Sequence, residues 1–174
     1  MLKKKVLVNG ISNLSDARYC AGMMVDYLCF EMNPSHEDFI SIEKVTEIKN
    51  WISGPKIGGR FSEWPKEFDW EAFQPDFLII TSNEALDRAV SFADEIFIER
   101  NEGERVELIW KNNRELETEE KLEFFRVNKS EDLTEDFLQN EGLAGVSLRG
   151  SQEDRPGFSD YGELMDILEV LEEE

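Results

Sequence analysis

Eight short apolar runs recur along this 174-residue chain, most of them separated by amphipathic stretches, and that alternation restricts the fold more than any other feature. The runs are KVLVN (5–9), DYLCFEM (26–32), KIGGRF (56–61), DFLIIT (76–81), EIFIE (95–99), RVELIW (105–110), LEFFRV (122–127) and LAGVSLR (143–149). Each has the length and composition of a strand. After the first, Ser12, Asn13 and Ser15 suit a helix N-cap, and Ala17, Cys20, Ala21 and Met24 then recur at helical spacing. Ile42, Val45, Ile48 and Ile52 describe one face of a second helix. Leu164, Ile167, Leu168 and Leu171 form a stripe on a closing helix. Strands alternating with helices build right-handed βαβ units and a parallel sheet. Eight such units close into a (β/α)8 barrel, here one domain over residues 1–174. The alternative is an open doubly wound sheet, but no GxGxxG follows the first run.

Barrels of this kind usually take about 200 residues or more, so this chain has to economise. RNEGE (100–104) leaves no room for a helix, and the connection over 111–121 is polar with few apolar anchors. The sequence therefore predicts a trimmed barrel with missing or vestigial helices around the fifth and sixth units. Strands left bare would expose apolar surface, which marks interfaces. A protein-interaction module, or a homodimer, is thus one reading to carry forward.

Charge narrows the partners. Asp and Glu number 39 against 19 Lys and Arg, a formal net charge of −20. Phosphate backbones and anionic membranes reward the opposite sign, so neither nucleic acid nor membrane is expected. No apolar run reaches membrane-spanning length, and that of MLKKKVLVNG is too short for a signal peptide. Cys20 and Cys29 lie in apolar stretches and form no CxxC pair, which suits reduced core thiols in a cytoplasmic protein. One histidine, His36, and two core cysteines supply neither a zinc set nor a hydrolytic triad. No Walker A loop occurs, and no metal or cofactor is implied.

Five segments resemble the phosphoribosylanthranilate isomerase family. VNGISNLSDA (8–17) is similar to its first strand and turn, with Gly10, Ile11, Asp16 and Ala17 matching. Asp26 and Phe30 match the second strand, and Pro34 with Ile40 and Ser41 the loop and helix start after it. Gly58 and Pro65 of IGGRFSEWP match the third. GVSLRGSQEDRPGFSD is similar to the eighth strand and its phosphate-binding turn, through Val146, Ser147, Pro156, Gly157 and Asp160. The resemblance implies a barrel and an Amadori rearrangement of an aminated sugar phosphate, a step of tryptophan biosynthesis. In the family a Cys on the first strand is the base and an Asp on the sixth is the acid.

Both positions are substituted here. Asn9 stands for the Cys, and an amide takes no proton at useful pH. Trp110, at the end of RVELIW, falls at the acid position and only donates. Asp38 replaces the family's basic loop residue, and VNKSED replaces its Gly-Gly turn. Loss of a general acid or base costs typically about two to four orders of magnitude in rate. The resemblance therefore reads as a pseudoenzyme binding a small phosphorylated or other anionic molecule, with a working isomerase on substitute residues as the alternative.

Functional groups of a barrel gather at the C-terminal strand ends. There the sequence places Arg60, Arg100, Lys111, Lys129 and Arg149, a basic mouth on an acidic body. Arg60, Asn128, Lys129, Ser147, Arg149 and Gly150 are the candidate ligand contacts, although strand-end cations are often only solvated. Arg60 could equally pair with Glu31. Glu31 and Asp38 are the candidate substitute acid and base, and a salt-bridge role for Glu31 competes with that.

Overall fold

In the computed structural model of the chain, residues 1–151, 153–155, 158–159 and 162–172 are described. Pro156, Gly157 and Asp160, part of the resemblance at the eighth strand, lie outside the described residues. The barrel strands are β1 (Lys5–Asn9), β2 (Tyr27–Glu31), β3 (Lys56–Phe61), β4 (Phe77–Ile80), β5 (Glu95–Arg100), β6 (Arg105–Lys111), β7 (Leu122–Arg126) and β8 (Gly145–Arg149). They close into a ring, because β8 pairs with β1 and β5 pairs with β6. This is the (β/α)8-type barrel that the alternation predicts.

One strand departs from the expected all-parallel ring. β6 runs antiparallel to both β5 and β7, while the other pairings are parallel. The cause is the length of the connection. Residues 101–104 are four, and a parallel crossover needs about a dozen or more. The chain instead turns back on itself through Asn101, Glu102 and Gly103, which take left-handed φ values of 49°, 53° and 88°. After β6, Asn112 and Asn113 (φ 56° and 59°) make a second tight turn into the two-residue strand Arg114–Glu115.

The trimming is wider than the sequence suggests. Among the described residues only α1 (Leu14–Gly22), α2 (Ile42–Lys49) and the closing helix, α6 (Gly162–Leu171), exceed two turns. α3 (Trp70–Phe73) and α4 (Leu86–Ala89) are single turns, and α5 (Glu135–Gln139) has five residues. No α-helix follows β5 or β6. Around β3 and β4 an aromatic layer covers the wall instead, with Trp64 stacked on Trp70 at 5.3 Å and Trp70 on Phe92 at 4.1 Å.

Alternation along the strands sorts the core into two layers. The outer layer packs the strands against the helices. The lumen is filled by Leu7, Tyr27, Cys29, Phe77, Ile79, Phe97, Leu108 and Phe124. Tyr27 meets Phe77, Phe97 and Phe124 edge-on at centroid distances of 5.2, 5.3 and 5.8 Å. Such pairs add about 0.5–1.5 kcal/mol each beyond burial. Two glycines make room for them. A Cβ on Gly58 would lie 2.4 Å from the Phe77 carbonyl oxygen, and one on Gly145 would lie 2.6 Å from the Phe124 ring.

The helix-free wall exposes no large apolar side chain. At the start of β6 the outward side chains, alternating with Val106 and Leu108, are Arg105 and Glu107, while Ile109 further along is buried in the outer cluster. Glu107 pairs with Arg100 at 3.6 Å and Lys121 at 3.5 Å, and Arg105 pairs with Glu123 at 3.4 Å. Cross-strand ion pairs suit that wall to water without a covering element. This corrects the expectation of an exposed apolar flank.

Candidate functional site

Alternation also dictates which side chains crown the lumen at the C-terminal end. Asn9 follows Leu7, Glu31 follows Cys29, Arg60 follows Gly58, Glu99 follows Phe97, Arg126 follows Phe124 and Ser147 follows Gly145. All six line one cavity of about 230 Å³, together with Gly10, His36, Glu37, Asp38, Glu102, Gly103, Leu148 and Arg149.

Arg60 is the hub. Its Nη1 donates to Glu31 Oε2 at 2.9 Å, its Nε to Glu99 Oε2 at 2.7 Å and its Nη2 to Glu99 Oε1 at 3.0 Å. Glu99, with Glu31 behind it, raises the affinity of the guanidinium for its proton against the opposing effect of burial. The second oxygen of Glu31 accepts from the Asn33 amide N–H at 3.0 Å. Glu31 is only 3% exposed. The salt-bridge account of Arg60 and Glu31 is the one found, and Glu99, which sequence reasoning passed over, supplies the stronger partner.

Arg149 forms a strap over the first strand end. It donates from Nε and Nη2 to Asp38 Oδ2 at 3.2 and 2.8 Å, and from Nη2 to Glu37 Oε1 at 2.8 Å. Those bonds lower the Glu37 carboxyl and raise the Arg149 guanidinium from their usual values. The strap passes over Gly10, whose φ of 66° and 3.0 Å clearance to Asp38 Oδ2 leave no space for a Cβ. His36 accepts from the Asp38 N–H through Nδ1 at 3.1 Å.

Asn9 donates from Nδ2 to Ser147 Oγ at 3.1 Å, while its Oδ1 is buried without a hydrogen-bond partner among the described residues. Arg126, which the sequence reading did not single out, has no side-chain hydrogen bond or ion pair among the described residues. Its signal was present in the alternation of Leu122, Phe124 and Arg126.

The basic mouth is corrected by this geometry. Of the five expected cations only Arg60 and Arg149 line the cavity, and both are engaged. Arg100 turns outward to Glu107. Lys129 is exposed and does not line the cavity. Lys111 is at the other end of the barrel, because β6 runs backwards and pairs it with Glu95 at the start of β5. Among the described residues the cavity carries five carboxylates, Glu31, Glu37, Asp38, Glu99 and Glu102, against three guanidiniums.

Trp110 moves with Lys111. It pairs with Ile96 on the outer face at the N-terminal end. It is therefore remote from the mouth, and the residue at the acid position in the linear reading is not in the site. No carboxylate of β6 faces the cavity in its place; the nearest wall carboxylate is Glu99 of β5, already held by Arg60.

A second recess of about 240 Å³ lies where barrels often hold phosphate, between the loops after β7 and β8 and the first turn of α6. Asn128, Arg149 and Gly150 of the expected contacts line it, with Ser151 and Glu163. Its amides are already used. Asn128 N–H and Lys129 N–H donate to Asp132 Oδ2 at 3.2 and 3.1 Å. Ser151 N–H donates to Asp16 Oδ2 at 2.7 Å, and Gly150 N–H to the Asn9 carbonyl at 2.7 Å. Three of these four amides are thus held by carboxylates of the chain itself. No group of His, Cys, Asp and Glu that could hold a metal occurs among the described residues. No helix there is long and apolar enough to cross a membrane.

No protein-family sequence profile and no curated protein sequence matches the chain. Solved structures do. Phosphoribosylanthranilate isomerase from Thermus thermophilus superposes with a TM-score of 0.62 at 16% identity, covering 96% of this chain and 98% of that one. TrpF from Jonesia denitrificans gives 0.64 at 10% identity over 97% and 96%. A phosphoribosylanthranilate isomerase in complex with reduced 1-(o-carboxyphenylamino)-1-deoxyribulose 5-phosphate gives 0.55 at 15% identity over 97% and 98%. Along almost its whole length, then, this chain has the fold of the phosphoribosylanthranilate isomerases.

Proposed function

We propose that the chain is an isomerase-like barrel without the isomerase reaction, and that its C-terminal mouth binds a small carboxylate-bearing molecule. The carrying observation is the pairing of two unengaged groups in one cavity, the Arg126 guanidinium and Asn9 Oδ1. A carboxylate would take the first in a bidentate fork, and an N–H or O–H of the same ligand would satisfy the second. The phosphate half of the expected ligand class has less support, because Asp132 and Asp16 hold the amides that a phosphate would use. The ligand of the solved isomerase complex carries a carboxylate as well as a phosphate; the mouth described above favours the former.

Absence of turnover follows from three features acting together. Asn9 cannot accept a proton, β6 brings no acid to the mouth, and Glu31 and Glu99 are tied to one guanidinium. The test is a fluorescence assay with phosphoribosylanthranilate at high protein concentration, with Asn9→Cys in parallel. No turnover is expected from either, since restoring a base leaves the acid missing. Turnover by the natural protein would overturn the reading and make Glu31 and Asp38 the next residues to replace. A thermal-shift screen of small carboxylates should give hits that Arg126→Gln abolishes. Hits confined to phosphate esters would overturn the ligand class.

A further inference from the structure

Reversal of β6 has an effect at the opposite end of the barrel. It carries Lys111 to the N-terminal opening, where Lys111 Nζ lies 3.2 Å from Glu95 Oε1. Lys56 approaches the same oxygen at 2.6 Å. Lys5 begins β1 two residues before the lumen residue Leu7, so alternation turns it to the same opening. These three lysines, with Tyr27 as apolar floor, line one pocket of about 440 Å³.

The charges do not cancel. Glu95 is 2% exposed and sits between two ammonium groups as their shared counter-ion. Asp26 also lines the pocket, and its Oδ2 accepts from the Val6 N–H at 2.9 Å, a bond that leaves its negative charge in place. The Lys5 ammonium has no partner among the described residues. Lys3 and Lys4 flank the pocket and bond only backbone carbonyls, of Val170 and of Asn140 and Leu143, which neutralise nothing. Five of 19 cationic side chains thus gather at one end of a chain of net charge −20. At the pocket itself three ammonium groups, of Lys5, Lys56 and Lys111, face two carboxylates, Glu95 and Asp26, an excess of one positive charge among the described residues. Clustered like charges repel one another, and a counter-ion bound among them relieves that repulsion.

We propose that the N-terminal opening of the barrel is an anion site, in which Lys5, Lys56 and Lys111 hold a small anion. Lys5, the lysine without a carboxylate partner among the described residues, carries the excess charge that the anion would meet. A diphosphate group and a di- or tricarboxylate share that chemistry. The site is independent of the mouth, and each can fail without the other.

The experiment is calorimetric titration of the full chain with inorganic pyrophosphate, and separately with citrate, at fixed ionic strength. Saturable binding is expected for at least one, and comparison of the two affinities separates the phosphate from the carboxylate source. Lys5→Gln should weaken it about tenfold, equivalent to about 1.4 kcal/mol, and leaves the Glu95 pairs intact so that folding is not at issue. Arg105→Gln makes the same charge change on the outer wall, where Arg105 pairs with Glu123, and should leave affinity unchanged. No saturable heat with either anion overturns the proposal. So does equal weakening by Lys5→Gln and Arg105→Gln, which would mark diffuse attraction. Loss in Arg126→Gln, with Lys5→Gln unaffected, would place the anion at the other end and overturn it too.

Discussion

Arg60 and Glu99 meet across the lumen in a two-pronged ion pair, Nε to Oε2 at 2.7 Å and Nη2 to Oε1 at 3.0 Å. The same guanidinium holds Glu31. Arg60→Ala would leave two largely buried carboxylates with no cation between them. Removal of one partner of a buried pair costs about 3–5 kcal/mol. Urea unfolding at neutral pH should show a loss of that order, with only partial recovery in Arg60→Lys, since an ammonium cannot make the fork. A loss within about 0.5 kcal/mol, typical of a surface change, would show that the triad does not hold the mouth together.

Glu95 makes the stability pH-dependent. Burial alone would raise its carboxyl, but hydrogen bonds from Lys56 and Lys111 outweigh burial and hold it below the ordinary value. The unfolded carboxyl titrates near 4.3. A carboxyl depressed in the folded state stabilises fully above that value, and the contribution is lost as pH falls through the folded pKa. Glu95→Gln should therefore be less stable than the natural chain at neutral pH, and the gap should close in acid. Denaturation midpoints of both proteins across the acid range check this; a gap independent of pH would contradict it.

Gly58 is fixed by what faces it. An added methyl would stand 2.4 Å from the Phe77 carbonyl oxygen and 2.7 Å from its ring. Backbone cannot yield cheaply, so Gly58→Ala should cost about 1–3 kcal/mol or more through overpacking. Thermal melting gives the answer, and Gly22→Ala is the control, since a Cβ there meets nothing within 4 Å.

The two thiols should be silent in the native protein. Burial, and then the Asp16 charge, push the Cys20 thiol up to about 12. Burial raises Cys29 well above its usual value. The thiolate is the reactive form. A disulfide reagent at mildly alkaline pH should label neither cysteine until denaturant is added, and then both. Rapid native labelling of either would show that its cover opens.

Strand positions were legible in the sequence because each run carries its own hydrophobic period, and seven of the eight also have the expected direction. The direction of β6 was legible too, from arithmetic rather than pattern. Four residues cannot cross a strand about 20 Å long and return on the same side. Reading RNEGE only as a missing helix displaced Trp110 and Lys111 by the full height of the barrel. Arg60, Glu31, Asp38 and Ser147 come to the mouth as their strand-end places imply. What the sequence could not show was who pairs with whom. Nothing in Glu99 or Glu37 announces that they neutralise Arg60 and Arg149, because those contacts join residues 39 and 112 positions apart. Asp132 and Asp16 sitting on the loop amides is likewise a matter of turn geometry, which composition does not encode.

The hairpin over 101–104 also limits how this barrel can diversify. Enzymes on the fold acquire new chemistry largely by lengthening the loops at the C-terminal rim, while the strands stay as they are. Here the exit of β5 and the entrance of β6 are fused into four residues with left-handed backbone. Insertions there would have to break a tight turn and loosen the ring's closure. On that side of the rim, new specificity has to come from exchanging side chains on the wall itself, at Glu99 and Arg126, one residue at a time.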